Sequence, residues 1–492
     1  MLGEQVTSLS NKIRAASVWS LFGQLSLNGL RLASFLVAPL FLKPSDYGVF
    51  GYALLLVMLF QLIVETAVPM AVVQSRRENS EVVATALCAN ILLAVLCYLL
   101  LCLLSIPAAR ILGDARVTPL APLMGTQLLF GSVSSVLMAQ MQREMNFRGL
   151  FLVRLLGTLP SVAITIYMAV HGYGYWALVA GWLSGGLFQL ISVVFIGRLP
   201  TSGGIDKSIF LELMRFSRWV MVDITANWAW EYSGGFFVGI ALGVSDLGKF
   251  RLADQAIRSL CAILLDPLSP VVFSALSAMH REHRQFGDTV PRMNYVFGTI
   301  SIPLMGALVL LAYPGAQLLG GKWSGIGRVL ALDGVVWGLN YLVQAVPQFL
   351  RAIGRPAVVV LIRFPMVAVQ FAVLAVAVSH GLTSYLVSKI VLEIVMVFFV
   401  SGILYREYKM NLFKQLSRHS RTILVTATAV IVSYCVGLTM IHFDVAARVC
   451  MQLTCFGSIS FVVALFDENS YARHVVHLAR VRLVTTGRSS QS

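Results

Sequence analysis

Long apolar runs separated by short polar stretches dominate the chain, and most of them show no alternation between a wet and a dry face. A helix needs ~20 mostly apolar residues to cross a bilayer, and the runs accommodate about fourteen such spans. They are predicted near 15–42, 48–72, 83–106, 118–141, 149–170, 174–196, 217–242, 250–276, 289–312, 328–350, 357–379, 382–404, 421–441 and 446–466. The expected fold class is therefore an all-α polytopic membrane protein. Composition agrees: the 492 residues are 58% hydrophobic and only 12% charged, about half the ~25% usual for soluble domains. The connecting segments, longest near 197–216 and 405–421, leave no room for a separate catalytic domain of ordinary size.

An offset of 200 residues brings two copies of one string into register, SDYGVF at 45–50 and SDLGKF at 245–250, and also pairs Ser17 with Ser217 and Trp19 with Trp219. A second match pairs Gln140 and Arg143, after span four, with Gln348 and Arg351, after span ten. Two pseudo-symmetric six-helix lobes in parallel orientation are predicted, followed by two further helices. Lobes repeated in this way around a central cavity are a transporter arrangement, because one can rock against the other. The expected boundaries are an N-lobe over 1–198, an interfacial linker over 199–216 and a C-lobe over 217–407. Spans 13–14 follow over 408–466, and a basic cytoplasmic tail over 467–492. Both the linker stretch 207–218 and the tail stretch 467–484 mix apolar residues with cations and are expected to lie on the membrane surface.

The net charge of +15 does not point to nucleic acid once the cations are placed against the spans. Lys and Arg resist translocation near span ends. With the termini inside, the outer loops hold only Lys43, Arg110, Arg116, Lys249, Lys322, Arg328 and Arg448, while the inner segments hold most of the rest. Both termini are therefore expected in the cytoplasm, with no cleavable signal peptide, since the first apolar segment is long and contains Arg31. The seven cysteines all lie in apolar segments and are odd in number, and the pairs His280/His283 and His474/His477 lack supporting carboxylates. Neither disulfides nor a metal site are expected.

Charges inside a bilayer are costly, roughly 2.5–3.5 kcal/mol each on the lenient scale, and so mark cavities or partners. Span one carries Gln24, Asn28 and Arg31 at i, i+4, i+7, on one helical face. Span eight carries Arg251, Asp254, Gln255 and Arg258, either lining a cavity or paired through Asp254. Arg154 and Arg363 occupy equivalent depths in spans five and eleven, where they either snorkel to the inner headgroups or ring the inner mouth of a cavity. Span seven presents Asp223, Asn227 and Glu231, and span ten presents Asp333, Trp337, Asn340 and Gln344. Glu65 and Glu393 complete the buried acids, with Lys389 one turn from Glu393. No histidine falls in a predicted span, so carboxylates would have to carry any coupling ion.

On the strings ETAVPMAVVQ (65–74), QREMNFRGL (142–150), GYGYWALVAG (172–181), LLGGKW (318–323) and RAIGRP (351–356), in this order and spacing, the chain resembles the Wzx-type polysaccharide transporters. The resemblance is to their colanic-acid-exporter-like branch, within the multidrug/oligosaccharidyl-lipid/polysaccharide exporter superfamily. It implies a flippase, not an enzyme, that carries an undecaprenyl-pyrophosphate-linked oligosaccharide across the bacterial inner membrane for exopolysaccharide or O-antigen synthesis. A polysaccharide polymerase and a chain-length regulator are the implied protein partners. By resemblance to related lipid II flippases, Arg31 and either Arg251 or Arg258 would meet the pyrophosphate. Arg154 and Arg363 would join them, and Gln24, Asn28, Asn227, Asn340 and Gln344 would line the cavity. No cofactor is expected beyond Na+ or H+, for which Asp223, Glu231 and Glu65 are the candidate acids. A multidrug antiporter of the same superfamily, or a membrane polymerase or ligase using the same lipid donor, remains as an alternative.

Overall fold

In the computed structural model the apolar runs form α-helices, and no strand occurs among the described residues. These are 23–34, 36–75, 80–197, 204–281, 286, 289–440 and 444–466. The tail stretch 467–484, the start of span one, and His283, His474 and His477 lie outside them. Residues 23–34 form α1, which resumes over 36–41. Then follow α2 (Pro44–Gln74), α3 (Ser80–Leu112), α4 (Val117–Arg143), α5 (Phe147–Val170), α6 (Tyr175–Ile196), α7 (Lys207–Leu242) and α8 (Val244–Leu264). The second half contains α9 (Leu268–Arg281), α10 (Thr289–Leu318), α11 (Ile326–Asn340), α12 (Ala345–Ala352), α13 (Pro356–Val378), α14 (Leu382–Tyr408), α15 (Leu412–Thr439) and α16 (Val445–Phe466).

Nine membrane-crossing helical segments, judged by length and apolarity, occur among the described residues. They comprise α2 to α6, α10, the run Ile326–Ala352, α14, and the part of α15 from His419. The chain is thus a multi-pass membrane protein. Helices α7 and α8 do not reach that apolarity, because Asp223, Glu231, Arg251, Asp254 and Arg258 interrupt them. Three expectations are corrected in detail. The stretch 207–218 is not a separate surface helix but the first third of α7, begun by Asp206, whose carboxylate accepts from the Ser208 and Ile209 amides at 2.6 and 3.1 Å. Its Ile209 and Leu213 are buried with Val68, Val72 and Val82 of α2 and α3. Span eight is not continuous over 250–276. Pro267 disfavours a helical Asp266 before it, and the chain breaks between α8 and α9. The predicted span-ten stripe is likewise interrupted by the 3-10 turn Tyr341–Val343, after Asn340 and before Gln344.

Two compact units emerge. The first comprises residues up to Ile263 together with Val360–Tyr385, and the second Leu264–Val359 together with Leu386 onward. Small and polar residues hold the first together, as expected where apolar helices gain little from leaving lipid. Tyr52 of α2 donates to the Gly239 carbonyl of α7 at 2.8 Å, and Ser217 of α7 donates to the Ala67 carbonyl at 3.1 Å. Asn90 of α3 donates to the Ser132 carbonyl of α4 at 2.9 Å. Phe50 meets Trp182 of α6 edge-on at 6.2 Å, and its repeat counterpart Phe250 meets Tyr385 of α14 edge-on at 5.8 Å. In the second unit α10 packs against α11, α15 and α16. Two polar ties stabilise its breaks: Tyr341 donates to Asp266 at 2.6 Å, and Asn294 accepts from the first amide of α12 at 2.8 Å.

Candidate functional site: two arginine clusters

The first cluster draws on four helices of the first unit. Gln61 and Glu65 lie one turn apart on α2, and the Gln61 amide donates to Glu65 Oε1 at 2.9 Å. Glu65 rests on α4 where Gly131 has no side chain; a Cβ there would stand 2.8 Å from Oε1. Arg31 on α1 and Arg154 on α5 both lie within electrostatic reach of that carboxylate and of each other. Neither forms an ion pair within 4 Å among the described residues, and both side chains are exposed. Gln24, on the same helix as Arg31, is also exposed, and Asn28 donates to the Ala262 carbonyl at 3.5 Å.

The second cluster is built on α7 and α8. Arg258 is held twice, by Asp254 one turn back at 3.0 Å and by Glu231 of α7 at 3.0 Å. Arg251, two turns before it on α8, is treated differently. It occupies a slot left by two glycines: a Cβ on Gly51 of α2 would stand 3.2 Å from its Cγ, and one on Gly235 of α7 would stand 3.3 Å from its Nη2. Its Nε and Nη2 are buried and have no acceptor among the described residues. Both guanidiniums lie over the Tyr232 ring, Arg258 at 5.0 Å and Arg251 at 5.7 Å from its centre. The intrahelical pairing through Asp254 therefore goes to Arg258. Asn227 is half-buried and Asp223 exposed, on the same helix as Glu231.

The remaining candidates divide between the units. Asn340 and Gln344 are half-buried in the second unit, on either side of the 3-10 turn. The side chain of Arg363, on α13 in the first unit, lies outside the described residues. Asp333 is fully buried, with the Lys389 ammonium 3.7 Å away, so Lys389 is engaged across helices and not only along α14 with Glu393. Sequence reasoning missed Tyr232 and the glycine slots, which no spacing rule marks. It also missed His419, which opens the apolar part of α15, is buried, and stacks on Tyr295 at 4.9 Å. The expectation that no histidine enters a span is corrected by that helix, which starts before residue 421 because the basic stretch from Leu412 is itself helical.

The family model for polysaccharide biosynthesis proteins matches residues 39–327, more than half of the sequence. The chain belongs to that family. It is 24% identical over 473 residues to the succinoglycan biosynthesis transport protein ExoT of Rhizobium meliloti (strain 1021), with 94% of this chain and 95% of that protein covered. Its fold is similar to that of the lipid II flippase MurJ in an inward-closed conformation, with a TM-score of 0.69 at 12% identity, covering 92% of this chain and 98% of that one. An inward-facing multidrug resistance MATE family transporter of the MOP superfamily follows, with a TM-score of 0.64 at 12% identity, covering 80% of this chain and 99% of that one. These likenesses agree with the Wzx-type resemblance read in the sequence, and the fold is that of the superfamily's transporters.

Proposed function

We propose that this polysaccharide biosynthesis protein is a flippase. It moves an undecaprenyl-pyrophosphate-linked oligosaccharide from the cytoplasmic to the periplasmic leaflet of a bacterial inner membrane by alternating access. The observation that carries the reading is Arg251, whose buried Nε and Nη2 have no acceptor among the described residues and stand beside a second guanidinium, Arg258. Buried donors of a charged group left unmade are expensive, and an arriving phosphate oxygen would meet them. Guanidinium suits the task because its fork binds phosphate oxygens bidentately and stays charged. Arg31 and Arg154 set two guanidiniums against one carboxylate, an excess of positive charge for the same dianion.

The polyprenyl chain stays in lipid while the sugars meet Gln24, Asn28 and Asn227. Outward movement of a dianion is favoured by ~2.3 kcal/mol per charge per 100 mV, or about 4.6 in all. For the return step, Glu231 already holds Arg258 Nη1 at 3.0 Å. A proton or sodium ion on Glu231 would release that nitrogen to the substrate, and loss of the ion would reclaim it. Asp223 and Glu65 are the other candidate acids for such coupling. Both termini are cytoplasmic in this reading, and the polymerase and chain-length regulator act on the product outside.

Reconstituted vesicles test it with a fluorescent undecaprenyl-pyrophosphate oligosaccharide and a membrane-impermeant quencher. Protein-dependent loss of the protected fraction is expected. Transport of a cationic dye in its place would favour the multidrug antiporter, and formation of longer sugar chains without transfer would favour a polymerase or ligase.

A further inference from the structure

A further polar feature lies in the second unit. The end of α10, the end of α15 and the start of α16 enclose a cavity of about 450 Å³, within the ~300–1,000 Å³ of small-molecule sites. Its long walls are apolar, from Val309 and Leu310 on α10 and Val430 and Leu438 on α15. Its rim opens at the surface, where Tyr313, Tyr434 and Leu438 are more than half exposed. Both α10 and α15 carry membrane-crossing segments, so such an exposed apolar rim meets lipid.

Three polar side chains stand at one end. Arg448 of α16 gives Nη2 to the Gln317 side-chain oxygen of α10, while its Nε is buried and has no acceptor among the described residues. Gln452, one turn further along α16 and 4% exposed, lines the cavity with its Oε1 unpartnered among the described residues. It fits there because Gly437 of α15 has no Cβ, which would otherwise stand 2.0 Å from Gln452 Nε2. Among the described residues, the lining carries this one cation and no acid.

We propose that this cavity is a binding site for a phospholipid of the bilayer, separate from the transported substrate. The phosphodiester accepts from Arg448 Nε, the glycerol region meets the Gln452 amide, and one acyl chain lies along Val309, Leu310, Val430 and Leu438. A single guanidinium matches the single charge of a phosphodiester, whereas the dianionic pyrophosphate of a polyprenyl carrier would leave one charge uncompensated. The occupied groove would fasten α15 and α16 to α10.

Native mass spectrometry of the full-length protein, after a delipidating wash, tests the assignment with phosphatidylglycerol and undecaprenyl phosphate as competing probes. Wild type is expected to retain one phosphatidylglycerol. Arg448→Gln should weaken its binding about tenfold, the value of a charge-assisted hydrogen bond, and Arg448→Lys by less. Leu438→Trp, at an exposed rim position that leaves the guanidinium intact, should also displace the lipid by filling the groove. Preferential retention of undecaprenyl phosphate would overturn the assignment. So would wild-type binding in both variants, loss in Leu438→Trp alone, or absence of bound phospholipid from the washed wild type when phosphatidylglycerol is added back. Each readout is independent of transport.

Discussion

Gly48 and Gly248 stand against each other where α2 and α8 begin, each filling the place the other's helix leaves. A Cβ on Gly48 would lie 1.8 Å from the Val244 carbonyl oxygen, and a Cβ on Gly248 would lie 1.8 Å from that of Pro44. The two copies of the SDxGxF string are thus in reciprocal contact, one on each side of a local pseudo-twofold relation. Backbones approach this closely only where the residue is glycine.

Either Gly48→Ala or Gly248→Ala should therefore force the two helix starts apart. The expected cost is about 1–3 kcal/mol, typical of inserting a methyl group into a packed contact. Since both substitutions break one contact, the double variant should cost clearly less than their sum. Thermal unfolding of the purified variants in one detergent measures this. Full additivity would mean that the two glycines act independently.

Much of this arrangement was legible in the sequence, because apolar runs and a 200-residue repeat are patterns along the chain. The repeat pairs Gly51 with Arg251 as well as Gly48 with Gly248, and the structure brings both pairs together. What was not legible is where the symmetry fails. Arg251 fits because its counterpart is glycine and because Gly235, on a third helix, also lacks a side chain. Whether Asp254 serves Arg251 or Arg258 depends on where Glu231 lies, since Glu231 completes the hold on Arg258 from another helix. Helix breaks at Asp266 and Tyr341 were hidden by continuous hydropathy, which reports burial in lipid and not backbone direction. A proline signalled the first break, whereas the second needs the Tyr341 to Asp266 hydrogen bond, a contact between distant positions.

The turn between α3 and α4 gives a pH dependence with a definite sign. Arg116 holds the Asp114 carboxylate through its side chain at 2.7 and 3.0 Å and through its amide, and keeps the Asp114 pKa below the usual carboxylate range. A depressed folded pKa contributes stability above the unfolded value, and that contribution is lost as pH falls through the folded value. The melting temperature of wild type should thus exceed that of Asp114→Asn at neutral pH, and the two should converge in acid below about pH 4. A gap that persists or widens in acid would refute the pairing.

Arg31 is exposed and makes no ion pair within 4 Å among the described residues, so its removal should leave protein abundance near wild type. Arg31→Ala is expected to abolish transfer of the lipid-linked sugar, and Arg31→Lys to recover only part, because the bidentate fork is lost. Quantitative immunoblots beside the quenching assay separate the two quantities. Loss of protein would make Arg31 a structural partner of Glu65, and normal transfer by Arg31→Ala would remove it from the site.

The two arginines of α8 should part company in the same pair of measurements. Arg258→Ala takes from Asp254, which is 4% exposed, and from Glu231 the guanidinium they share. Breaking a buried pair in this way costs about 3–5 kcal/mol. Glu231→Gln in the same chain should restore part of the stability, since it removes one of the stranded charges. Among the described residues, Arg251→Ala strands no directly paired carboxylate and removes buried donors that have no acceptor, so its stability should equal or exceed that of wild type while transfer fails. If Arg251→Ala is the less stable of the two, Arg251 supports the fold and not the substrate, and the phosphate contact passes to Arg31 and Arg154. If instead it is stable and transfers normally, its open nitrogens have no part in binding, and the proposal of a pyrophosphate cradle on α8 fails.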